Sequence, residues 1–167
     1  MPKKIKTYFL ENQSPKNVFE LACKLSGKLR KGDIVFLRGP VGSGKTYFAR
    51  NFILEILKSQ NLCDEVPSPS FSLIQIYDTI VPPICHVDLY RLSFSSELEE
   101  LGLENLYENS VSLIEWPERL ANRLPARFFE IEFSFSKNKE NERNLSIVFL
   151  GPNWDYISGI FNGKTKA

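Results

Sequence analysis

The sequence contains few of the residues that build disulfide frameworks or zinc sites. It has three cysteines among 167 residues, and no two of them have the Cys-x-x-Cys spacing. An odd number of cysteines without paired spacing argues against both kinds of site and is typical of a reducing compartment. A chain of this length buries roughly 70% of its unfolded surface and needs no such cross-links. We therefore expect a cytoplasmic protein with an ordinary hydrophobic core.

Long apolar runs are also absent. No stretch approaches the roughly 20 apolar residues that a membrane-spanning helix requires. The amino-terminal residues MPKKIKTYFLENQ are basic, but no apolar segment of the signal-peptide type follows them. The sequence therefore predicts no signal peptide and no membrane partner.

The charge is balanced overall but uneven along the chain. Residues 1–50 carry eleven Lys or Arg and three acids, whereas residues 51–167 carry ten and seventeen. Two solvated faces would explain this pattern. A basic half that holds a polyphosphate and an acidic half that supplies metal-binding and interaction surface would explain it equally well.

Hydrophobic periodicity predicts alternating strands and helices in one domain, residues 1–155, followed by a carboxyl-terminal tail, 156–167. A helix begins at Ser14-Pro15 and is expected to end at Lys31-Gly32. A second helix is expected from about Lys45 to Ser59. The predicted strands are 6–13, 33–38, 71–78, 84–91, 111–116, 128–135 and 144–151. A helical segment is expected at 95–108 with a break at Gly102, and two helical turns are expected after Pro117.

Residues 39–46, GPVGSGKT, have the pattern of a loop that wraps phosphates, between a predicted strand and a predicted helix. Its glycines allow backbone N–H groups to turn inward onto an anion, and the helix start adds a positive end. The lysine is expected to reach the β- and γ-phosphates and the threonine hydroxyl to bind Mg²⁺. The predicted nucleotide-binding residues are Gly39, Pro40, Val41, Gly42, Ser43, Gly44, Lys45 and Thr46. The fold predicted is α/β, a P-loop NTPase-like three-layer sandwich with a mixed, mostly parallel central sheet and a carboxyl-terminal antiparallel hairpin.

Two carboxylates follow predicted apolar strands. ICHVD ends at Asp88 and VSLIE ends at Glu115. A phosphate loop requires a carboxylate on a neighbouring strand to hold the Mg²⁺ shell or to polarise a water. One of the two is expected to bind Mg²⁺ and the other to orient water, and the sequence does not assign which. His86 shares the strand face of Asp88, where a lone histidine is more often a packed residue than a catalytic one.

The sequence favours ATP over GTP. Guanine recognition requires Asn-Lys-x-Asp, and residues 138–141 read Asn-Lys-Glu-Asn, without the decisive acid. A small-molecule kinase remains an alternative, because Arg119, Arg123 and Arg127 could form a lid over phosphates. A solvated arginine face interrupted by Pro125 is the simpler interpretation.

Three stretches after the phosphate loop carry a family resemblance. They are VPSPSFSLIQIY (66–77), HVDLYRL (86–92) and LIEWPERL (113–120), in that order after GPVGSGKT. Together they resemble the bacterial TsaE family, formerly called YjeE, over roughly residues 5 to 150. Four ordered motifs are far more specific than the phosphate loop alone. The resemblance implies a small ATPase needed to make N6-threonylcarbamoyladenosine at position 37 of tRNAs that read ANN codons.

The resemblance also implies roles for individual residues. Ser70 matches the threonine of a switch-like segment near the γ-phosphate; its hydroxyl is kept, so altered switching is expected and loss of function is not. Asp88 matches the acid of the His-x-Asp-x-Tyr-Arg motif, and Glu115 the acid before Trp-Pro, with Trp116 beside the site. The family's other nucleotide contacts would fall near Glu11 and near Glu142–Arg143. The predicted catalytic residues are Lys45, Ser70, Asp88 and Glu115, and the predicted metal ligands are Thr46, Asp88 and Glu115.

Proteins of this family do not modify tRNA themselves. The resemblance implies that this chain binds the TsaD–TsaB complex and that turnover of ATP with Mg²⁺ resets that complex, so tRNA is contacted only indirectly. Hydrolysis by the chain alone is expected to be slow, because no arginine finger is identifiable. The alternatives are the small-molecule kinase and a nucleotide-dependent binding module without significant hydrolysis.

Overall fold

The computed structural model describes residues 4–93 and 95–161, which form a seven-stranded sheet with helices on both faces. The strands are β1 (Lys4–Gln13), β2 (Ile34–Arg38), β3 (Ile74–Tyr77), β4 (Ile84–Asp88), β5 (Val111–Glu115), β6 (Phe128–Phe135) and β7 (Arg143–Leu150). The helices are α1 (Pro15–Ser26), α2 (Lys45–Ser59), α3 (Ser95–Glu100), α4 (Leu103–Asn109) and α5 (Asp155–Ser158). Two 3₁₀ turns cover Pro117–Leu120 and Gly159–Phe161.

The sheet is mixed, with a parallel centre. Its strand order is β1-β7-β6-β2-β5-β4-β3. The four central strands β6, β2, β5 and β4 run parallel, whereas β3 is antiparallel to β4 and β7 is antiparallel to both β6 and β1. The predicted mixed sheet with a late antiparallel hairpin is confirmed.

Successive side chains of the central strands enter two separate cores. Val35 and Leu37 of β2 pack with α1 and α2, whereas Ile34 and Phe36 pack on the other face with α3 and α4. This alternation is the period of a strand that is covered on both faces. The three predicted layers are therefore confirmed. Among the described residues, no helix is long and apolar enough to cross a membrane.

Helix α1 begins where predicted and ends earlier. Ser14 caps it, accepting a hydrogen bond from the Asn17 amide while the Asn17 side chain accepts one from the Ser14 amide. The expected end at Lys31-Gly32 is wrong, because the helix stops at Ser26 and Gly27 follows as its cap. The chain then turns into β2, and the Arg30 amide donates to the Asp33 carboxylate over 2.7 Å.

Strands β3 and β4 are shorter than their apolar runs suggested. Residues before β3 form a turn in which the Leu73 amide donates to the Pro69 carbonyl over 2.7 Å and Leu73 has a φ of 66°. β4 ends at Asp88 because the Asp88 carboxylate accepts the Tyr90 amide over 2.9 Å, which turns the chain away from the sheet. Local hydrogen bonds of this kind compete with strand pairing.

The segment after the hairpin packs against the core. Trp154, Ile157 and Phe161 are buried, and the Phe161 ring lies 5.4 Å from the Tyr8 ring and 5.7 Å from the Phe149 ring, measured between centroids. The predicted tail began at residue 156, so its first six residues contribute to this packing. Residues 162–167 of that tail lie outside the described residues.

Candidate functional site

Three parallel strands end at the same edge of the sheet. β2 leads directly into residues 39–44, and in the strand register both Leu37 of β2 and Asp88 of β4 pair with Glu115 of β5. The carboxyl ends of parallel strands are where open α/β sheets bind ligands. The structure therefore brings together a phosphate loop and two carboxylates that come from separate motifs.

The loop backbone depends on glycine at two positions. Gly39 has a φ of 141°, and a Cβ there would lie 2.4 Å from the Phe133 carbonyl oxygen. Gly44, at a φ of 107°, caps the start of α2 without a side chain in front of its N–H groups. Strand, loop and helix therefore have the arrangement that presents backbone N–H groups to an anion.

Lys45 is the first residue of α2 and is buried at 4% exposure. Its Nζ donates to the Gly39 and Pro40 carbonyls over 2.7 and 2.9 Å and lies 4.1 Å from the centre of the Trp116 ring. Burial lowers the pKa of the Lys45 ammonium, and the nearby Glu115 and Asp88 carboxylates oppose that shift. The ammonium thus lies inside the loop, held by groups that a phosphate could replace.

Glu115 joins two other motifs through its two oxygens. Oε2 accepts the Thr46 hydroxyl over 2.8 Å, and Oε1 lies 2.8 Å from Nε2 of His86. Glu115 is 1% exposed and His86 is fully buried. The carboxylate is therefore fixed between the start of α2 and the middle of β4.

Asp88 has different partners. Its Oδ2 accepts the Ser70 hydroxyl over 3.0 Å, and the Ser70 hydroxyl is also 2.7 Å from that of Ser68. Its Oδ1 accepts the amide of Tyr90. Asp88 is therefore bonded to Ser70 of the predicted switch segment, and Glu115 to Thr46 of the phosphate loop. The positions of the two acids at strand ends did not predict these different partners.

The oxygens at this edge suit a hard divalent cation. Thr46, Asp88 and Glu115 offer a hydroxyl and two carboxylates, which are ligands that Mg²⁺ accepts. Within residues 4–93 and 95–161, no group of three or more His, Cys, Asp or Glu could hold a metal by itself. In phosphate-loop proteins Mg²⁺ takes one or two protein ligands, with water and phosphate oxygens completing the shell.

A cavity of about 320 Å³ adjoins the phosphate loop and has a volume typical of small-molecule sites. It lies between the start of α1, the loop with the first turn of α2, and the β6–β7 turn. Its lining residues are Pro15, Val18, Gly42, Ser43, Gly44, Tyr47, Asn141 and Arg143. The cavity has room for the nucleoside part of a nucleotide whose phosphates lie in the loop.

Arg143 connects the hairpin to the loop. Its Nε donates to the Ser43 carbonyl over 3.1 Å and its Nη2 to the Gly42 carbonyl over 3.3 Å. Its guanidinium carbon lies 4.8 Å from the centre of the Phe135 ring. Because a peptide's carbonyl and N–H point in opposite directions, holding the Ser43 carbonyl outward directs the Gly44 N–H inward.

The residues expected at the rim of the site lie in different places. Trp116, at a left-handed φ of 61°, covers Lys45. Glu142 is in the β6–β7 turn and forms an ion pair of 3.0 Å with Lys139. Glu11 is an exposed residue near the end of β1, where Gln13 pairs with Arg143 of β7. The Glu11 carboxylate has no polar partner in the described part of the chain. Val41 is 67% exposed at the tip of the loop.

Two of the three arginines considered for a lid, Arg123 and Arg127, are held by other partners. Arg123 pairs with Glu99 over 2.5 Å. Arg127 pairs with Asp33 over 2.7 Å, at the opposite end of β2 from the phosphate loop, where it lines a larger cavity of about 430 Å³. The guanidinium of Arg127 donates hydrogen bonds to Asp33, Tyr156 and two backbone carbonyls. This geometry does not favour a phosphate-clamping lid.

Sequence reasoning assigned the phosphate-loop part of the cavity wall but not its helical part, and it did not assign the partner of Glu115. Pro15, Val18 and Tyr47 reach the cavity because α1 and α2 pack side by side, which no motif records. His86 was interpreted as a packed residue. Its position two residues before Asp88 on a strand next to β5 was the available signal.

Comparisons with known proteins identify the family of this chain. The sequence profile of the family "Threonylcarbamoyl adenosine biosynthesis protein TsaE" matches residues 12–145. A Rickettsia felis protein named "tRNA threonylcarbamoyladenosine biosynthesis protein TsaE" is 39% identical over 132 residues, 77% of this chain and 72% of that protein. The Bacillus subtilis protein of the same name is 26% identical over 145 residues, 86% and 87% of the two chains.

A solved structure shows the same fold. The crystal structure of Bacillus subtilis YdiB matches with a TM-score of 0.67 at 24% identity, covering 90% of this chain and 88% of that one. The family profile spans the phosphate loop, Asp88, Glu115 and Arg143. The chain therefore belongs to the TsaE family.

Proposed function

We propose that this chain binds ATP with Mg²⁺ and hydrolyses it in support of N6-threonylcarbamoyladenosine formation in tRNA, in the cytoplasm, by acting on the TsaD–TsaB complex. The observation that carries the proposal is the 2.8 Å hydrogen bond from the Thr46 hydroxyl to Glu115. It joins the hydroxyl expected to bind Mg²⁺ to an acid at a strand end, beside a phosphate loop. Membership of the TsaE family supports the pathway.

The chain's own residues would hold the nucleotide as follows. The phosphates lie on the N–H groups of residues 39–46, and the Lys45 ammonium exchanges the Gly39 and Pro40 carbonyls for phosphate oxygens. The nucleoside occupies the 320 Å³ cavity beside the loop. Bound Mg²⁺ neutralises charge on the phosphates.

The two acids have separate tasks in this proposal. Glu115 accepts the Thr46 hydroxyl and would be the acid that holds Mg²⁺. Asp88 holds Ser70, so it controls the position of the segment that senses the γ-phosphate. Ser70 retains the hydroxyl that such sensing requires.

Exposed apolar side chains at the site edge support the action on a protein complex. Phe71 is 86% exposed and follows Ser70, Val41 is 67% exposed at the loop tip, and Tyr90 is 48% exposed beside Trp116. Exposed apolar residues grouped at one place mark interaction sites. TsaD–TsaB contacting this edge would reach the segment that senses the nucleotide.

The test is ATP hydrolysis by the chain alone and with the TsaD and TsaB proteins of its own organism. We expect slow turnover alone and strong stimulation by the partners, lost in Lys45→Ala. Thr46→Val and Thr46→Ser form a matched pair: the serine variant keeps the hydroxyl and should keep stimulated turnover, whereas the valine variant should lose it. Turnover that ignores TsaD and TsaB but rises with a small acceptor would establish the kinase instead.

Glu115→Ala separates an ATPase from a binding module. The variant should keep the Mg²⁺-independent part of ATP binding, fail to turn ATP over and stop multiple-turnover tRNA modification. Unchanged modification would mean that hydrolysis is not part of the function.

A further inference from the structure

His86 is the chain's single histidine, and it forms part of a continuous hydrogen-bonded chain into the site. Its ring is fully buried on β4, with Nε2 2.8 Å from Oε1 of Glu115. The other Glu115 oxygen accepts the Thr46 hydroxyl. Imidazole, carboxylate and hydroxyl thus connect the interior of the sheet to the first turn of α2.

The surroundings of the His86 ring show which of its nitrogens donates to Glu115. An ionised carboxylate only accepts hydrogen bonds, so the proton lies on Nε2. Nδ1 is buried and has no hydrogen-bond partner among the residues that the structure describes. A second proton there would be a buried donor without an acceptor, which is costly. Nε2–H is therefore the donor in the contact with Glu115.

Of the two acids at the sheet edge, Glu115 is the one that His86 contacts among the described residues. His86 pairs with Leu113 and Asp88 pairs with Glu115 in the parallel β4–β5 ladder. The oxygens of Asp88 are already bonded to Ser70 and to the Tyr90 amide. His86 consequently acts on the orientation of Glu115 alone.

We propose that His86 is a positioning residue for the Mg²⁺–ATP site: its Nε2–H holds Glu115 in the rotamer that presents Oε2 to Thr46 and to the cation. The inference rests on the function proposed above. His86 itself touches neither nucleotide nor cation. Residues that orient a ligand from outside the coordination shell change metal affinity by about 10–100-fold.

The test compares two variants whose side-chain amide nitrogen lies at different distances from Cβ. His86→Gln puts its amide nitrogen three bonds beyond Cβ, where Nε2 lies, whereas His86→Asn puts it two bonds beyond, where Nδ1 lies. ATP binding is measured calorimetrically with Mg²⁺ and with EDTA. We expect His86→Asn to lose about 10–100-fold of the Mg²⁺-dependent affinity, and His86→Gln to stay within about threefold of the parent.

The outcomes separate the two proposals. Affinity in EDTA should be equal for all three proteins. Equal Mg²⁺-dependent affinities in the two variants would overturn the role of His86. An unmodified chain whose ATP binding does not respond to Mg²⁺ would overturn the proposed function itself.

A measurement on the unmodified sequence covers the case in which His86→Asn does not fold. In a chain without a histidine tag, ¹⁵N-histidine NMR spectra report a single ring. We expect a slowly exchanging proton on Nε2, and faster exchange of that proton in Glu115→Ala. An Nδ1–H tautomer, or an exchange rate that is the same in the parent and in Glu115→Ala, would refute the contact on which the inference depends.

Discussion

Replacing Gly39 by alanine should displace the phosphate loop. A Cβ at this position would lie 2.4 Å from the Phe133 carbonyl oxygen and 2.8 Å from Ser43 Oγ, whereas ordinary contacts begin near 3.4 Å. Phe133 is in β6, which lies between β7 and β2 and is hydrogen bonded on both sides. The loop must therefore move away from the sheet.

The displacement sets the size of the effect. Restoring an ordinary contact requires the loop to shift by about 1 Å, and a misplacement of that size can cost on the order of 100-fold in function. Gly42 is the matched control, because it also has a positive φ, 76°, but an added Cβ would meet nothing within 4 Å. Gly42→Ala introduces backbone strain of about 1–2 kcal/mol. Gly39→Ala, at a φ of 141°, introduces strain of about 1–3 kcal/mol and is the one of the two that also adds displacement.

Calorimetric ATP titration and urea unfolding of the two variants make the comparison. Gly39→Ala should weaken ATP binding about 100-fold. Gly42→Ala should stay within about fivefold of the parent while its free energy of unfolding falls by about 1–2 kcal/mol. If Gly39→Ala binds ATP as well as Gly42→Ala does, the contact with Phe133 does not control the loop and the reasoning fails.

Substitutions at four further residues test other parts of the structure. Arg143→Met should weaken ATP binding about tenfold in the same titration, because the loop carbonyls lose a charged donor, and Arg143→Lys should recover part of the loss. Burial raises the pKa of Tyr77 from 10.0 to about 12. The unfolded state therefore loses this proton first, stability falls as pH rises from 10 toward 12, and Tyr77→Phe should remove up to about 2 kcal/mol of that fall in urea unfolding. Phe161→Ala should lower the free energy of unfolding by about 3–5 kcal/mol. Phe71→Ala, at an 86% exposed position, should change it by less than about 0.5 kcal/mol.

Local patterns predicted the parts of the fold that local chemistry determines. The predicted bounds of α2 agree with the structure, since glycine conformations before Lys45 and the apolar stripe after it are properties of neighbouring residues. The hairpin strands followed from their period of two. Asp88 and Glu115 could be placed at one sheet edge because both end strands that the fold class makes parallel.

The remaining features depend on contacts between residues distant in sequence. Arg143 bonds to Ser43 across 100 positions, and the family resemblance pointed to the region of Glu142–Arg143 without indicating this bond. The packing of Ile157 and Phe161 depends on a surface formed by β1 and β7 after the sheet assembles. The early end of β4 arises because one carboxylate captures a following amide, and an apolar run cannot reveal that competition.

The hydrogen bonds of the two acids explain why hydrolysis should depend on a partner. Each of the four carboxylate oxygens already accepts a bond from a protein group: His86 and Thr46 on Glu115, Ser70 and the Tyr90 amide on Asp88. Each oxygen keeps a second lone pair, but the protein bonds already in place restrict the directions from which an attacking water can donate to it. Of the four bonds, the one from Ser70 comes from a half-buried residue next to the exposed Phe71, whereas His86 is fully buried. A protein that binds at Phe71 and draws Ser70 toward the γ-phosphate would free one oxygen of Asp88 without disturbing the core. Slow turnover by the isolated chain, with stimulation by TsaD–TsaB, is the behaviour that this arrangement predicts.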